Sequence, residues 1–292
     1  MKTRPSRKSV SEAFSPIFIF FITRLGVFLV LYLCAAIYFM FLGGNPIVGD
    51  SIAHIGFLIM NIEAFADIHM FWAFFAVRII CLPIFWYMWK KTRESIPSLT
   101  YHSNALRIGT ILLVCAFTTM RVFLQASSYV VLGRFNVTPL YEAGVGIFDS
   151  GSLFMLILTS VIVTPIIEEL AIRGIMLNRL LVISPTWLAV LISSIIFGLM
   201  HSGSPLGIMY AMIGGIWYAL LYIRFRNLWL CIIAHMVFNF AGSNFTMLTF
   251  IYSTASSFPV FSIVMPIIYM IGIGGLLLLT CPQATFEEKR ME

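Results

Sequence analysis

Pro165-Ile-Ile-Glu-Glu-Leu-Ala-Ile-Arg173 sets two adjacent carboxylates and an arginine inside an otherwise apolar run. Ionisable side chains are costly within a hydrocarbon slab, so a pair of them there marks a functional site by default. The surroundings decide that the slab is the right medium. The chain has 292 residues, of which 60% are hydrophobic and only 10% charged, and its mean hydropathy is +0.98. A soluble domain is nearer half apolar and a quarter charged. The fold class read from this is all-α, a polytopic integral membrane protein.

Working outward from Glu168 and Glu169, the run from about Gly151 to Arg179 reads as one spanning helix, the fourth of eight. Before it lie Pro16 to Leu42, about Ile68 to Trp89, and about Ala105 to Leu132. The first of these is too long for a signal-peptide core and reads as uncleaved. After it come Pro185 to His201, about Leu206 to Ile223, Leu228 to about Gly242, and about Phe258 to Cys281. Asn45 to Asp67 is expected to hold at most an interfacial helix. Basic residues fall at the N-terminus, at Lys90, Lys91 and Arg93, at Arg173 and Arg179, at Arg224 and Arg226, and at Lys289 and Arg290. The positive-inside rule puts all of these on one face, with both termini cytoplasmic, in a plasma or inner membrane. The net charge of +6 therefore reads as helix orientation and not as a nucleic-acid footprint.

No repeat, low-complexity tract or long linker divides the chain, so residues 1–292 form one integral membrane domain. Cys34, Cys81, Cys115, Cys231 and Cys281 lack paired spacing and read as apolar packing residues. Phe148 to Gly151 (FDSG) and Ser204 resemble protease signatures only in isolation, and neither sits in a matching arrangement. His54, His69 and His102 read as interfacial. Arg78 and Arg121 lie well inside spans two and three, where pairing with an interior carboxylate and snorkelling are both open.

Spans five and seven each bring a histidine. Phe197 and His201 stand at i and i+4, as do His235 and Asn239, which puts each pair on one helical face. Counted from the basic ends at ~1.5 Å per residue, Glu168 lies ~16 Å deep, His201 ~24 Å, His235 ~12 Å and Asn239 ~18 Å in a core of ~30 Å. They can meet near mid-membrane. Amide hydrolysis needs a base for water and donors for the oxyanion. Glu168 is the candidate base, and His235, Asn239 and His201 are the candidate donors. Glu169 and Arg173, at i and i+4, read as an orienting ion pair, and Phe197 as a packing neighbour. On this reading Glu169→Ala is milder than Glu168→Ala.

EELAIR, FGLMH and HMVFN together resemble the EExxxR, FxxxH and HxxxN motifs of the CPBP (Abi) family of intramembrane proteases, which includes the type II CAAX prenyl endopeptidases. The resemblance covers roughly Ser152 to Gly242. It implies an all-helical core with an intramembrane polar catalytic cavity and a membrane-associated or prenylated-type peptide or protein substrate. In it the first Glu activates water, and the His and Asn residues complete the site. Two His and one or two Glu could also hold zinc, through Glu168, His201 and His235. The HExxH motif of zinc proteases is absent, and no cofactor is favoured. The alternative from another class is a non-catalytic transporter, immunity or scaffold protein using the same charged cavity.

Overall fold

The computed structural model describes residues 7–41, 51–96, 107–133, 154, 157–201, 205–243 and 245–280; side chains are described for all of these except 7–9, 39–41, 51–71, 133, 243, 245–249 and 280. The FDSG run, His102, Ser204 and Cys281 lie outside the described residues, and His54 and His69 are described in backbone only. The protein is an all-α polytopic membrane protein. Its helices are α1 (Arg7–Phe41), α2 (Ser51–Ser95), α3 (Ile108–Gly133), α4 (residues 157–183), α5 (Thr186–Met200), α6 (Pro205–Phe225), α7 (Leu228–Ser243), α8 (Phe245–Ser257) and α9 (Pro259–Thr280).

By length and composition five helices can cross a membrane, within Val10–Tyr38, Trp72–Ser95, Ile108–Leu132, Pro205–Phe225 and Pro259–Leu279, and α5 and α7 are shorter apolar helices. A count of eight spans requires α4, α5 and α7 to cross as well. Two boundaries differ from the sequence expectation. The stretch expected as an interfacial segment continues α2 back to Ser51. Residues Phe245–Ser257 form α8, which its serines, threonines and 13-residue length had hidden.

α4 is the core. Every residue from Leu170 to Leu177 is buried, and Ile167, Ile172, Met176 and Leu177 are at most 1% exposed. The α1–α2 pair packs on one side of α4, with α5, α6 and α7 around the rest, while α3 pairs with α7 and α9. Small residues permit the close approaches, as they do at membrane-helix contacts generally. A Cβ on Gly174 would meet the Trp89 ring at 2.8 Å, and one on Gly215 would meet Ser194 Cα at 2.9 Å.

Four contacts gather helix ends. Arg179 Nη1 pairs with Glu12 Oε2 at 3.0 Å. Asn178 Nδ2 donates to Tyr222 Oη at 2.8 Å, Arg224 Nη2 donates to Leu278 O at 3.1 Å, and Trp89 lies against Gly174. The start of α1 and the ends of α2, α4, α6 and α9 thus share one face of the bundle.

Candidate active site

α4 is not a regular α-helix. It winds in wide π turns over Ile157–Val163 and again over Leu170–Leu177, with α-helical turns over Thr164–Glu169 between them. Such turns shift carbonyls out of the i to i+4 ladder and concentrate at functional sites. The side chains answer for the freed groups. Asn178 Nδ2 donates to the Arg173 and Gly174 carbonyls at 3.0 and 2.9 Å, and Thr164 Oγ1 donates to Thr159 O at 2.7 Å. Pro165 has no N–H to offer five residues back. Ser160 O receives Asn239 Nδ2 from α7 instead, at 2.8 Å. The carboxylates thus sit on the α-helical turn framed by two π segments.

Glu169 and Arg173 form the ion pair their spacing implies, Oε1 to Nη1 at 3.0 Å, with both side chains fully buried. Arg173 is also held by Gly215 O at 3.0 Å and by the Phe197 ring, 4.4 Å from its Cζ. The same Glu169 Oε1 lies 2.9 Å from His235 Nδ1. Sequence spacing could not reveal this second partner, because it depends on how α7 docks on α4.

Glu168 faces the two histidines. Its Oε2 lies 3.7 Å from His201 Nε2 and 3.9 Å from His235 Nε2, and it is buried with no hydrogen-bond partner among the described residues. His201 stands just past the end of α5, with its side chain 38% exposed. Its Nδ1 is 2.7 Å from Phe197 O. A carbonyl and a carboxylate only accept, so both Nδ1 atoms carry the proton. In the neutral rings both Nε2 lone pairs then point toward Glu168. Three acceptors converge at separations too long for direct hydrogen bonds, a geometry suited to a bridging donor such as water.

Phe197 packs between these groups, its ring 4.6 Å from His201 and 5.6 Å from His235. Asn239 is on the same face as His235, but the amide N–H described above is directed at Ser160 and not at Glu168. One residue without a sequence signal joins the cluster. Tyr218 stacks on His235 at 4.9 Å and 21°, delivered by the α6–α7 turn. In that turn Arg226 adopts φ 48°, and Asn227 Oδ1 caps α7 by accepting from Trp229 and Leu230 N–H at 3.0 and 3.3 Å. Arg121 neither snorkels nor pairs with a carboxylate among the described residues. It is 6% exposed, lies 4.2 Å over the Phe238 ring, and reaches Gln125 Oε1 and Tyr210 O at 3.4 Å.

A zinc ion would draw on Glu168, His201 and His235. Ligands of a tetrahedral site at ~2.0–2.1 Å stand ~3.3 Å apart, closer than the 3.7 and 3.9 Å seen here. No group of three or more His, Cys, Asp or Glu arranged to hold a metal ion occurs among the described residues. The donor set as arranged does not match a closed zinc site.

Comparison with known proteins bears on the same helices. A family model described as "Type II CAAX prenyl endopeptidase Rce1-like" matches residues 150–241. The protein of Bacillus subtilis (strain 168) described as "Putative membrane peptidase YdiL" is 36% identical over 85 residues, covering 29% of this chain and 34% of that protein. The alignment thus spans about a third of that relative's length. No solved structure matches the chain.

Proposed function

We propose that this chain, whose segment 150–241 belongs to the CPBP family of membrane peptidases with the Rce1-like endopeptidases, is an intramembrane endopeptidase with Glu168 as its general base. The observation that carries this reading is the convergence of Glu168 Oε2 with the Nε2 atoms of His201 and His235 at 3.7 and 3.9 Å. A water held among these three acceptors donates one proton to Glu168 and the other to an imidazole, which aims its lone pair at a peptide carbonyl. On attack, Glu168 takes the water's proton and later delivers it to the leaving amine. The tetrahedral oxyanion then needs donors. The second N–H of Asn239 supplies one.

Glu169 acts one step back. It holds the proton on His235 Nδ1 and neutralises Arg173, so it fixes which nitrogen of His235 faces the reaction. Tyr218 stacks on the other side of that ring. On this reading the Glu169 phenotype is not mild: losing Glu169 frees the His235 tautomer and strands a buried guanidinium.

The reading extends to one membrane domain over 1–292 with its catalytic core at 152–242. The substrate is a membrane-associated peptide or protein, lipid-modified or not. The basic helix ends face the cytoplasm across a plasma membrane. Hydrolysis runs without metal, since no step above requires one. Purified protein stripped with chelator keeps its activity on this account, and activity regained only with added zinc contradicts it. The test of function compares membranes carrying wild-type or Glu168→Gln protein by N-terminal proteomics. New N-termini present only with the wild type support an endopeptidase, and identical termini oppose it.

A further inference from the structure

Arg24 stands at the middle of the apolar span Val10–Tyr38, where an arginine is expensive unless something offsets its charge. Its neighbour across the helix contact is another arginine. Arg24 Cζ lies 5.1 Å from the Phe74 ring centroid and Arg78 Cζ 5.6 Å from the same ring. Arg24 is also 5.7 Å over Phe28, which itself meets Phe74 edge to face at 5.3 Å. The i and i+4 pairs Arg24/Phe28 on α1 and Phe74/Arg78 on α2 therefore form one patch. Neither guanidinium has a carboxylate within ion-pair distance among the described residues. Arg78 makes one hydrogen bond, from Nη1 to its own helix at Phe74 O, 3.0 Å.

Two cations sharing one aromatic ring, with no ion-pair partner among the described residues, repel each other, and the faces of Phe74 and Phe28 offset only part of that cost. Both arginines are half-buried, so both keep an accessible surface. The patch also lies beside the reaction centre: α2 packs on the turn of α4 that carries Glu168. An anion placed here would relieve the repulsion and sit next to the scissile bond. At mid-membrane depth it cannot be a lipid headgroup, which leaves a carboxylate carried in by the peptide.

We propose that Arg24 and Arg78 form a carboxylate-binding subsite for the substrate chain beside Glu168. It rests on the protease reading and adds a specificity to it. The planar guanidinium fork matches a carboxylate bidentately, so the pair selects peptides that bring a C-terminal carboxylate or an acidic side chain to this depth.

The probe is an apolar, N-acetylated octapeptide in three forms: free C-terminal acid, C-terminal amide, and amide with one internal Glu. Binding is measured on Glu168→Gln protein in phosphatidylcholine liposomes, with and without Arg24→Gln or Arg78→Gln, and cleavage on the otherwise wild-type proteins. Because neither arginine has a carboxylate within ion-pair distance among the described residues, both variants are expected to fold, which gel filtration checks. The free acid is expected to bind at least about tenfold tighter than the plain amide, and each variant to collapse that ratio toward one. A preference for the Glu-containing amide instead identifies a side-chain carboxylate as the ligand and equally supports the subsite. Equal binding of all three peptides, variants that leave the ratio intact, or no binding by folded protein overturns it. Arginine-dependent binding without cleavage by the wild type keeps the subsite and overturns the protease reading.

Discussion

Glu169 Oε1 serves two partners at once, Arg173 Nη1 at 3.0 Å and His235 Nδ1 at 2.9 Å, all three groups being buried. Removing one member of such a pair leaves an uncompensated buried charge, which costs about 3–5 kcal/mol. Glu168 has no such dependant. Glu169→Ala is therefore predicted to lower the thermal midpoint in detergent well below that of Glu168→Ala, while both lose cleavage. Midpoints that coincide would mean that Glu169 holds nothing together. His201→Ala and His235→Ala should each cost at least ~100-fold in turnover, in the range of lost acid–base groups; assays on folded protein check this.

The sequence showed part of this site and hid the rest for physical reasons. Depth counting could bring Glu168, His201 and His235 within ~12 Å of one another in depth, because rise per residue is nearly constant along helices. It could not show that Glu169 reaches His235, since that follows from the docking of α7 on α4. Arg24 was concealed by the strong apolar run around it. Tyr218 carries no motif, and its place on His235 comes from the α6–α7 turn.

At the scale of the element, α4 depends on irregular winding and close neighbours. Its π turns leave carbonyls that Asn178 and Asn239 take up, so each amide ties the helix where its ladder is interrupted. Gly215 serves twice: its carbonyl accepts from Arg173 Nη2, and its missing side chain lets α6 approach the Ser194 backbone. Gly215→Val would push α6 from α5 and drag that carbonyl away. The predicted result is a destabilisation of about 1–3 kcal/mol from overpacking, with turnover falling because Arg173 and Glu169 shift with it. A Gly215→Val protein with wild-type midpoint and turnover would show that the close approach is dispensable. The π winding of α4 had no sequence signal beyond Pro165, for wide turns arise from tertiary packing more than from local propensity.

Across the whole molecule, the helix ends brought together by Arg179–Glu12, Asn178–Tyr222 and Arg224–Leu278 lie on one face and are rich in basic residues. The membrane setting was legible from composition, because a soluble domain carries more charge, and the all-α class from apolar runs long enough to span as helices. The number of crossings was less so: α8 falls in a polar stretch and α2 runs past its apolar part. Cysteines introduced at Lys91 and Arg179 should react with an impermeant maleimide only when the cytoplasmic side is opened. Labelling of either from outside intact cells would reverse the orientation.

The central claim is that Glu168 activates the water that cleaves a peptide bond within the membrane. Its most direct measurement is single-turnover hydrolysis of a quenched membrane peptide by purified protein in liposomes, wild type against Glu168→Gln, with folding checked by thermal midpoint. The account predicts cleavage by the wild type and a loss of at least ~100-fold in a variant of near-normal stability. Cleavage by Glu168→Gln at close to the wild-type rate would contradict it.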